Sequence, residues 1–210
     1  IPSSSARNIG VYFDETMMMT DHIAHITKNA WFQLRQIGNI RQYLDNDSAA
    51  TLMHSFVSSR LDNFNSLLYG LPQYQIDKLQ RVQNAAARVI FRLKKYDHVS
   101  SSLLQLHWLP IEHRIKYKIL LLTFKSLHNL APEYLSDLLS IKTNARSLRS
   151  SNKLLLNIPR CRLKMYGFRT FAYAAPHLWN QLPDECRAAT CLAGFKVKLK
   201  TFLFKQAFGV

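Results

Sequence analysis

At 210 residues and 48% hydrophobic composition, the chain is long enough to bury a real core and too apolar to be disordered. Its 28 Lys and Arg against 13 Asp and Glu give a net charge of +15 and a pI near 10.0, which favours polyanionic partners, nucleic acid ahead of acidic membrane. No apolar run approaches the roughly 20 residues that span a bilayer, no signal peptide is recognised, and the run ILLLTF at residues 119–124 reads as core.

A loose Ser-rich lead-in at residues 3–5 precedes residues 9–13 (IGVYF), which read as one short strand. No run of comparable strength lies nearby, so this strand is expected to be an orphan, the last of a sheet whose other strands lie outside the chain. The start at Ile1 rather than Met points the same way, to a processed product or a fragment. Ile23, Ile26, Ala30, Leu34 and Ile37 then recur at helical spacing up to about residue 41. Asp45 or Asp47 can cap the next helix, which carries Leu52, Phe56, Leu61, Phe64 and Leu68 and stops at Gly70 and Pro72.

Residues 74–128 predict a long amphipathic helix, a short helical link and a second long helix. At about 100° per residue, Ile76, Leu79, Val82, Ala86, Val89, Ile90 and Leu93 fall on one face of the first helix. Lys78, Arg81, Arg88, Arg92 and Lys95 fall on another, about 100° wide, so one helix offers a core stripe and a basic stripe. Pro110 suits the first turn of the second helix, where its missing N–H would have been unpaired anyway. From 111 to 130 apolar side chains point nearly all round, with Arg114, Lys118 and Lys125 in one narrow strip, the pattern of a buried helix with one wet seam. Ala131 and Pro132 start a short helix with Tyr134, Leu135, Leu138 and Leu139.

Beyond residue 140 the composition changes. Residues 140–210 hold 13 Lys or Arg against Asp184 and Glu185, a net of +11, while the first 139 residues carry +4. Residues 154–158 and 161–166 read as a hairpin around Pro159 and Arg160, with Arg162, Lys164 and Tyr166 alternating to one face. Residues 170–182 read as a helix that Pro176 should break or kink. A final amphipathic helix over 192–207 turns Phe195, Leu199, Phe202 and Leu203 inward, with Lys196, Lys198, Lys200 and Lys205 around them. The fold class is therefore mainly α.

Chemistry is sparse. Two-metal phosphoryl transfer needs clustered carboxylates, and the acidic neighbours here are Asp14–Glu15, read as a strand end, and Asp184–Glu185, read as a helix start after Pro183 where acids suit the dipole. His22 and His25 form H-x-x-H without accompanying ligands. No phosphate loop, nucleophile elbow or H-E-x-x-H motif occurs, and there are only 6 Gly to build loops. Cys161, Cys186 and Cys191 form neither an even disulfide set nor a C-x-x-C pair, which fits a reducing intracellular compartment, nucleus or cytoplasm.

Binding remains. A basic helical stripe neutralises phosphates without reading sequence. Tyr166, Phe168, Phe171, Tyr173 and Trp179 interleave with Arg162, Lys164 and Arg169, a mixture that suits stacking as well as phosphate contact, although such spacing more often marks core. The rival reading is a helical protein-interaction module docking through the seam at 110–130.

In one order the chain carries N-I-G-V-Y-F-D (8–14), H-I (22–23), S-S-R-L-D (58–62), L-L-Y-G-L-P (67–72), L-Q-R-V-Q-N-A-A-A-R (79–88), L-H-W-L-P (106–110), R-S-L-R-S-S (146–151), P-R-C-R-L-K (159–164) and A-A-P-H-L-W-N-Q-L-P (174–183). This series resembles the C-terminal third of LINE-type, non-LTR retrotransposon reverse transcriptases, RNA-directed DNA polymerases of mobile elements. The resemblance implies that residues 1–20 end the polymerase palm, that 21–140 form a helical thumb-like bundle tracking the template–primer duplex, and that 141–210 form a basic C-terminal helix and hairpin module. The family's Y/F-A-D-D motif, its other palm aspartate, its fingers and an endonuclease domain do not occur in this sequence. Asp14 follows the catalytic turn in the family and does not replace it, so no catalytic residue is expected here. No cofactor is expected in this chain, since magnesium would belong to the palm. Asn63 and Phe64 stand where related copies often have Tyr and Cys, a departure that fits a decayed or domesticated element copy.

The expected role is thus to hold an RNA or DNA duplex or an RNA–DNA hybrid beside the absent palm and fingers. The contact residues expected from the basic faces are Lys78, Arg81, Arg88, Arg92 and Lys95, then Arg160, Arg162, Lys164 and Arg169.

Overall fold

The computed structural model describes residues 4–142 and 154–209, and of Lys164 only the backbone. Among these residues the fold is mainly α with one small two-stranded sheet. The expected R-S-L-R-S-S segment lies outside the described residues.

The leading strand is not an orphan. β1 (Ser5–Asn8) pairs antiparallel with β2 (Val11–Asp14), Asn8 opposite Val11 and Ser5 opposite Asp14. Ile9 and Gly10 both take positive φ, 47° and 85°, the requirement of a tight two-residue hairpin turn. Ile9, expected inside a strand, is therefore its 81%-exposed turn residue. The polar sequence Ser-Ala-Arg-Asn of β1 hides its strand character because only Val11 of this ribbon is buried.

α1 (Thr20–Ile40) buries the expected Ile23, Ile26, Ala30, Leu34 and Ile37. Asp45 caps α2 (Asn46–Met53), its side chain accepting from the Ser48 amide at 2.7 Å. The segment after α2 is not the single helix expected. A π-helical turn at His54–Ser58 leads into α3 (Ser59–Asp62), and a 3₁₀ turn at Asn65–Leu68 comes after Phe64, whose φ is +52°. A π turn inserts one residue and rotates the succeeding residues by about 100°. Val57 and Leu61 reach the core in consequence, while Phe56 and Phe64 remain 45% and 38% exposed.

α4 (Gln73–Phe91) buries Ile76, Leu79, Val82, Ala86 and Ile90 as expected. It packs parallel to α1. Gln75 near its start donates to Thr20 Oγ1 at 3.0 Å, and Arg41 at the far end of α1 reaches the Val89 carbonyl at 2.9 Å. The helix ends before the stripe of apolar residues suggests. Arg92 adopts φ +54°, and the Leu93 amide returns to the Arg88 carbonyl at 2.9 Å, closing a Schellman-type cap without glycine. α5 (Ser100–Gln105) is the short link. α6 (Ile111–Leu127) begins after Pro110, whose carbonyl takes the Arg114 amide at 3.0 Å.

Packing divides the chain into two compact units, Ile1–Arg114 and Ile115–Val210. The second unit holds the rest of α6, α7 (Glu133–Ser136), α8 (Lys164–Gly167), α9 (Phe171–Asn180), α10 (Asp184–Arg187) and α11 (Leu192–Phe208). Its centre is aromatic. Trp179 lies 5.7 Å from Phe195, Phe195 stacks on Phe124 at 4.3 Å, and Phe124 on His128 at 4.0 Å. Pro176 sits inside α9 and is buried, so the helix continues past it at the cost of one hydrogen bond to the preceding turn. The hairpin expected over 154–166 does not form. Leu156 instead bridges antiparallel to Ile141, and Lys164 begins a single helical turn. Gly167 explains that turn's position, since a Cβ there would lie 2.8 Å from the Cys161 Cβ.

Candidate nucleic-acid interface

The basic stripe of α4 divides into two groups. Lys78 and Arg81 are exposed or nearly so, and Lys78 rests 5.6 Å over the Tyr74 ring, which holds the cation in place while leaving it wet. Arg88 is half-buried and donates to the Asp97 carbonyl at 3.2 Å. Arg92, beyond the last helical residue, donates to the Arg41 carbonyl at 3.2 Å. Lys95 lies in the turn after the helix, exposed and 5.4 Å over Tyr96. The stripe therefore keeps Lys78 and Arg81 as presented cations. Arg88 and Arg92 also bind backbone carbonyls around the helix end, while Lys95 stays exposed beyond it.

In the second unit Arg160 and Arg162 are exposed, Arg169 is half-buried, and the Lys164 side chain lies outside the described residues. Lys196, Lys200 and Lys205 are exposed on α11, and Lys198 donates to the Glu185 carbonyl at 3.0 Å. Of the aromatic side chains expected among these cations, Trp179 is buried and Tyr166 is exposed. Phe168, Tyr173 and His177 stack in series at 4.5 and 5.7 Å.

Two arginines missed in the sequence have the opposite role. Arg41 is buried, and its guanidinium donates to the carbonyls of Leu44, Val89 and Ile90 and to the Asn46 side chain. Arg187 is buried likewise and gathers the carbonyls of Asn180 and Leu182 with the Asp184 carboxylate. Each places a positive charge on the orphan carbonyls at a helix C-terminus, α4 and α9 respectively. Burial, reinforced by the nearby Arg92 charge, pulls the Arg41 pKa below its usual value.

The conspicuous sequence words are structural. Asp62 pairs with Arg114 at 2.7 Å, and Arg114 also donates to the Leu109 carbonyl at 2.9 Å and lies 5.8 Å over Trp108. Gln80 accepts the Ile111 amide at 2.9 Å, supplying a cap for α6, and buried Gln83 donates to the Leu109 carbonyl at 2.9 Å. Asn180 pairs with both backbone groups of Leu156 at 2.9 and 2.8 Å, while the Trp179 indole donates to the Leu154 carbonyl at 2.8 Å.

Asp14 is equally committed. Its carboxylate accepts from the amides of Met18 and Thr20, both at 2.8 Å, and from the Thr16 hydroxyl at 3.0 Å. Burial works to raise its pKa, but these bonds outweigh it and hold the group below the usual carboxylate value. His22 is buried with neither ring nitrogen hydrogen-bonded among the described residues. Burial, with a smaller contribution from His25, lowers its pKa and so favours the neutral imidazole. No group of three or more His, Cys, Asp or Glu that could hold a metal ion gathers among the described residues. Among the described residues no helix is long and apolar enough to cross a membrane.

Comparison of the chain with protein-family models, with curated proteins and with solved structures finds no match in any of the three.

Proposed function

We propose that the chain is a nucleic-acid-gripping portion of a non-LTR retrotransposon reverse transcriptase, holding a template–primer duplex by its phosphates without carrying the catalytic aspartates of the palm. The supporting observation is the distribution of charge. Solvent-facing cations, Lys78 and Arg81 on α4 and Arg160, Arg162, Lys196, Lys200 and Lys205 in the second unit, stand in a chain of net charge +15. The acids are few, and several are committed internally, Asp14 to backbone amides, Asp62 to Arg114 and Asp184 to Arg187. A surface so unbalanced favours phosphate contact with counterion release over recognition of bases.

The test uses two double variants, Lys78→Gln with Arg81→Gln and Arg160→Gln with Arg162→Gln, titrated against an RNA–DNA hybrid at several salt concentrations. Each pair that touches phosphate flattens the log–log salt slope by up to about 1.8. Slopes unchanged in both variants would contradict the proposal. Affinity that persists at high salt and prefers an acidic protein would instead support the interaction-module reading.

A further inference from the structure

The outer face of α1 is composed differently from the α4 stripe. At 100° per residue, Lys28, Trp31, Phe32, Arg35 and Asn39 lie within an arc of about 100°, directly opposite the buried Ile23, Ile26, Ala30, Leu34 and Ile37. Trp31 is 39% and Phe32 50% exposed, and neither ring packs on another aromatic ring among the described residues. Lys28 and Arg35 are exposed, one turn to either side of the ring pair. After Asp21 the helix carries no acid.

Trp31 and Phe32 still leave 39% and 50% of their area in water, and neighbouring exposed rings make the kind of apolar patch that marks a contact surface. Two flat rings flanked by cations satisfy the requirements of a stacking platform: π faces for bases and positive charge for the phosphates between them. Lys28 and Arg35 are seven residues apart, about 10 Å along the helix, a span of roughly three stacked nucleotides at 3.4 Å each. The bases of a duplex are already stacked on one another and cannot open onto such rings, whereas those of a single strand can. We infer that the outer face of α1 binds single-stranded nucleic acid, Trp31 and Phe32 offering stacking faces at the two edges of the arc while Lys28 and Arg35, between them in azimuth, hold phosphates. The occupant is chosen by charge complementarity: a strongly basic chain, cations on both sides of the rings and no acid between them. This site is separate from the duplex grip proposed for α4 and does not depend on it.

The chain supplies its own probe. Of its three tryptophans, Trp108 and Trp179 are 7% and 1% exposed, so quenching by acrylamide reports mainly Trp31. A single-stranded oligonucleotide of 12 thymidines added to the intact chain is expected to protect that emission. Changing Trp31→Ala with Phe32→Ala is expected to lower single-strand affinity about tenfold, with unaltered circular dichroism and hybrid affinity within twofold. Lys28→Gln with Arg35→Gln is expected to flatten the single-strand salt slope by up to about 1.4. Trp31 left quenchable at saturating oligonucleotide, or equal affinity for the Ala double variant, would overturn the inference. Protection that appears with protein concentration alone would overturn it too, assigning the face to a second copy. Because the hybrid is titrated in parallel, failure of the α4 grip is read separately from failure of the α1 platform.

Discussion

Arg41 and Arg187 show what a cation does when its charge is spent inside the protein. In the sequence they are indistinguishable from Arg81 or Arg160, because a helix's orphan carbonyls lie far away along the chain; Arg41 meets Val89 and Ile90 some fifty positions later. Replacing Arg41 by Met leaves several buried acceptors unpaired, so a loss of about 3 kcal/mol in urea unfolding is expected. Arg81→Gln, by contrast, is expected to leave stability within about 0.5 kcal/mol. A mild Arg41→Met would contradict the capping role. His22 gives a pH signature. Its folded pKa lies below the ordinary 6.5, so the unfolded chain takes up the proton first. The contribution to stability is complete above about pH 6.5 and is lost as pH falls through the folded value. His22→Leu should therefore reduce the drop in unfolding free energy between pH 7.5 and 5.5. Asp14 titrates in a separate window, below its usual 3.8. An identical drop in both proteins would remove His22 as the source.

Among the elements, the long periodic ones were legible and the short polar ones were not. α1, α4 and α11 emerge from apolar spacing because each buries one continuous stripe. β1 escaped because its hairpin depends on Ile9 and Gly10 at positive φ rather than on alternating apolar residues. The π turn escaped because it moves the buried register from Phe56 to Val57, a phase change that no fixed period describes. The segment 154–166 looks like a hairpin in sequence because its own alternation is visible there, whereas its actual partners are Ile141 and the side chains of Trp179 and Asn180. Asn180→Ala removes both bonds to Leu156, one to its N–H and one to its carbonyl. Hydrogen exchange at the Leu156 amide should accelerate by about tenfold or more, at a cost of roughly 1–2 kcal/mol. Unchanged exchange would show that the bridge to Ile141 holds the strand alone.

For the molecule as a whole, the sequence words that suggest a retrotransposon polymerase mix two roles: Asp62, Gln80, Gln83, Trp108, Trp179 and Asn180 bind the chain to itself, while Arg81, Arg160 and Arg162 in the same words face solvent. The proposed interface is carried by residues of the second kind, exposed Lys and Arg whose positions a charge count locates only to a helix face. That is why the basic stripe was legible in outline, and why its division into presenting cations (Lys78, Arg81) and committed ones (Arg88, Arg92) required the geometry. If the surplus charge grips phosphate, a labelled RNA–DNA hybrid titrated with the intact chain from about 50 to 400 mM salt, read by fluorescence anisotropy, must register it. A straight log–log decline is expected, with a slope of about −3.6 or steeper, from four or more phosphate contacts at roughly 0.9 each. A flat response, or no binding by a chain whose circular dichroism is helical, would contradict the phosphate grip.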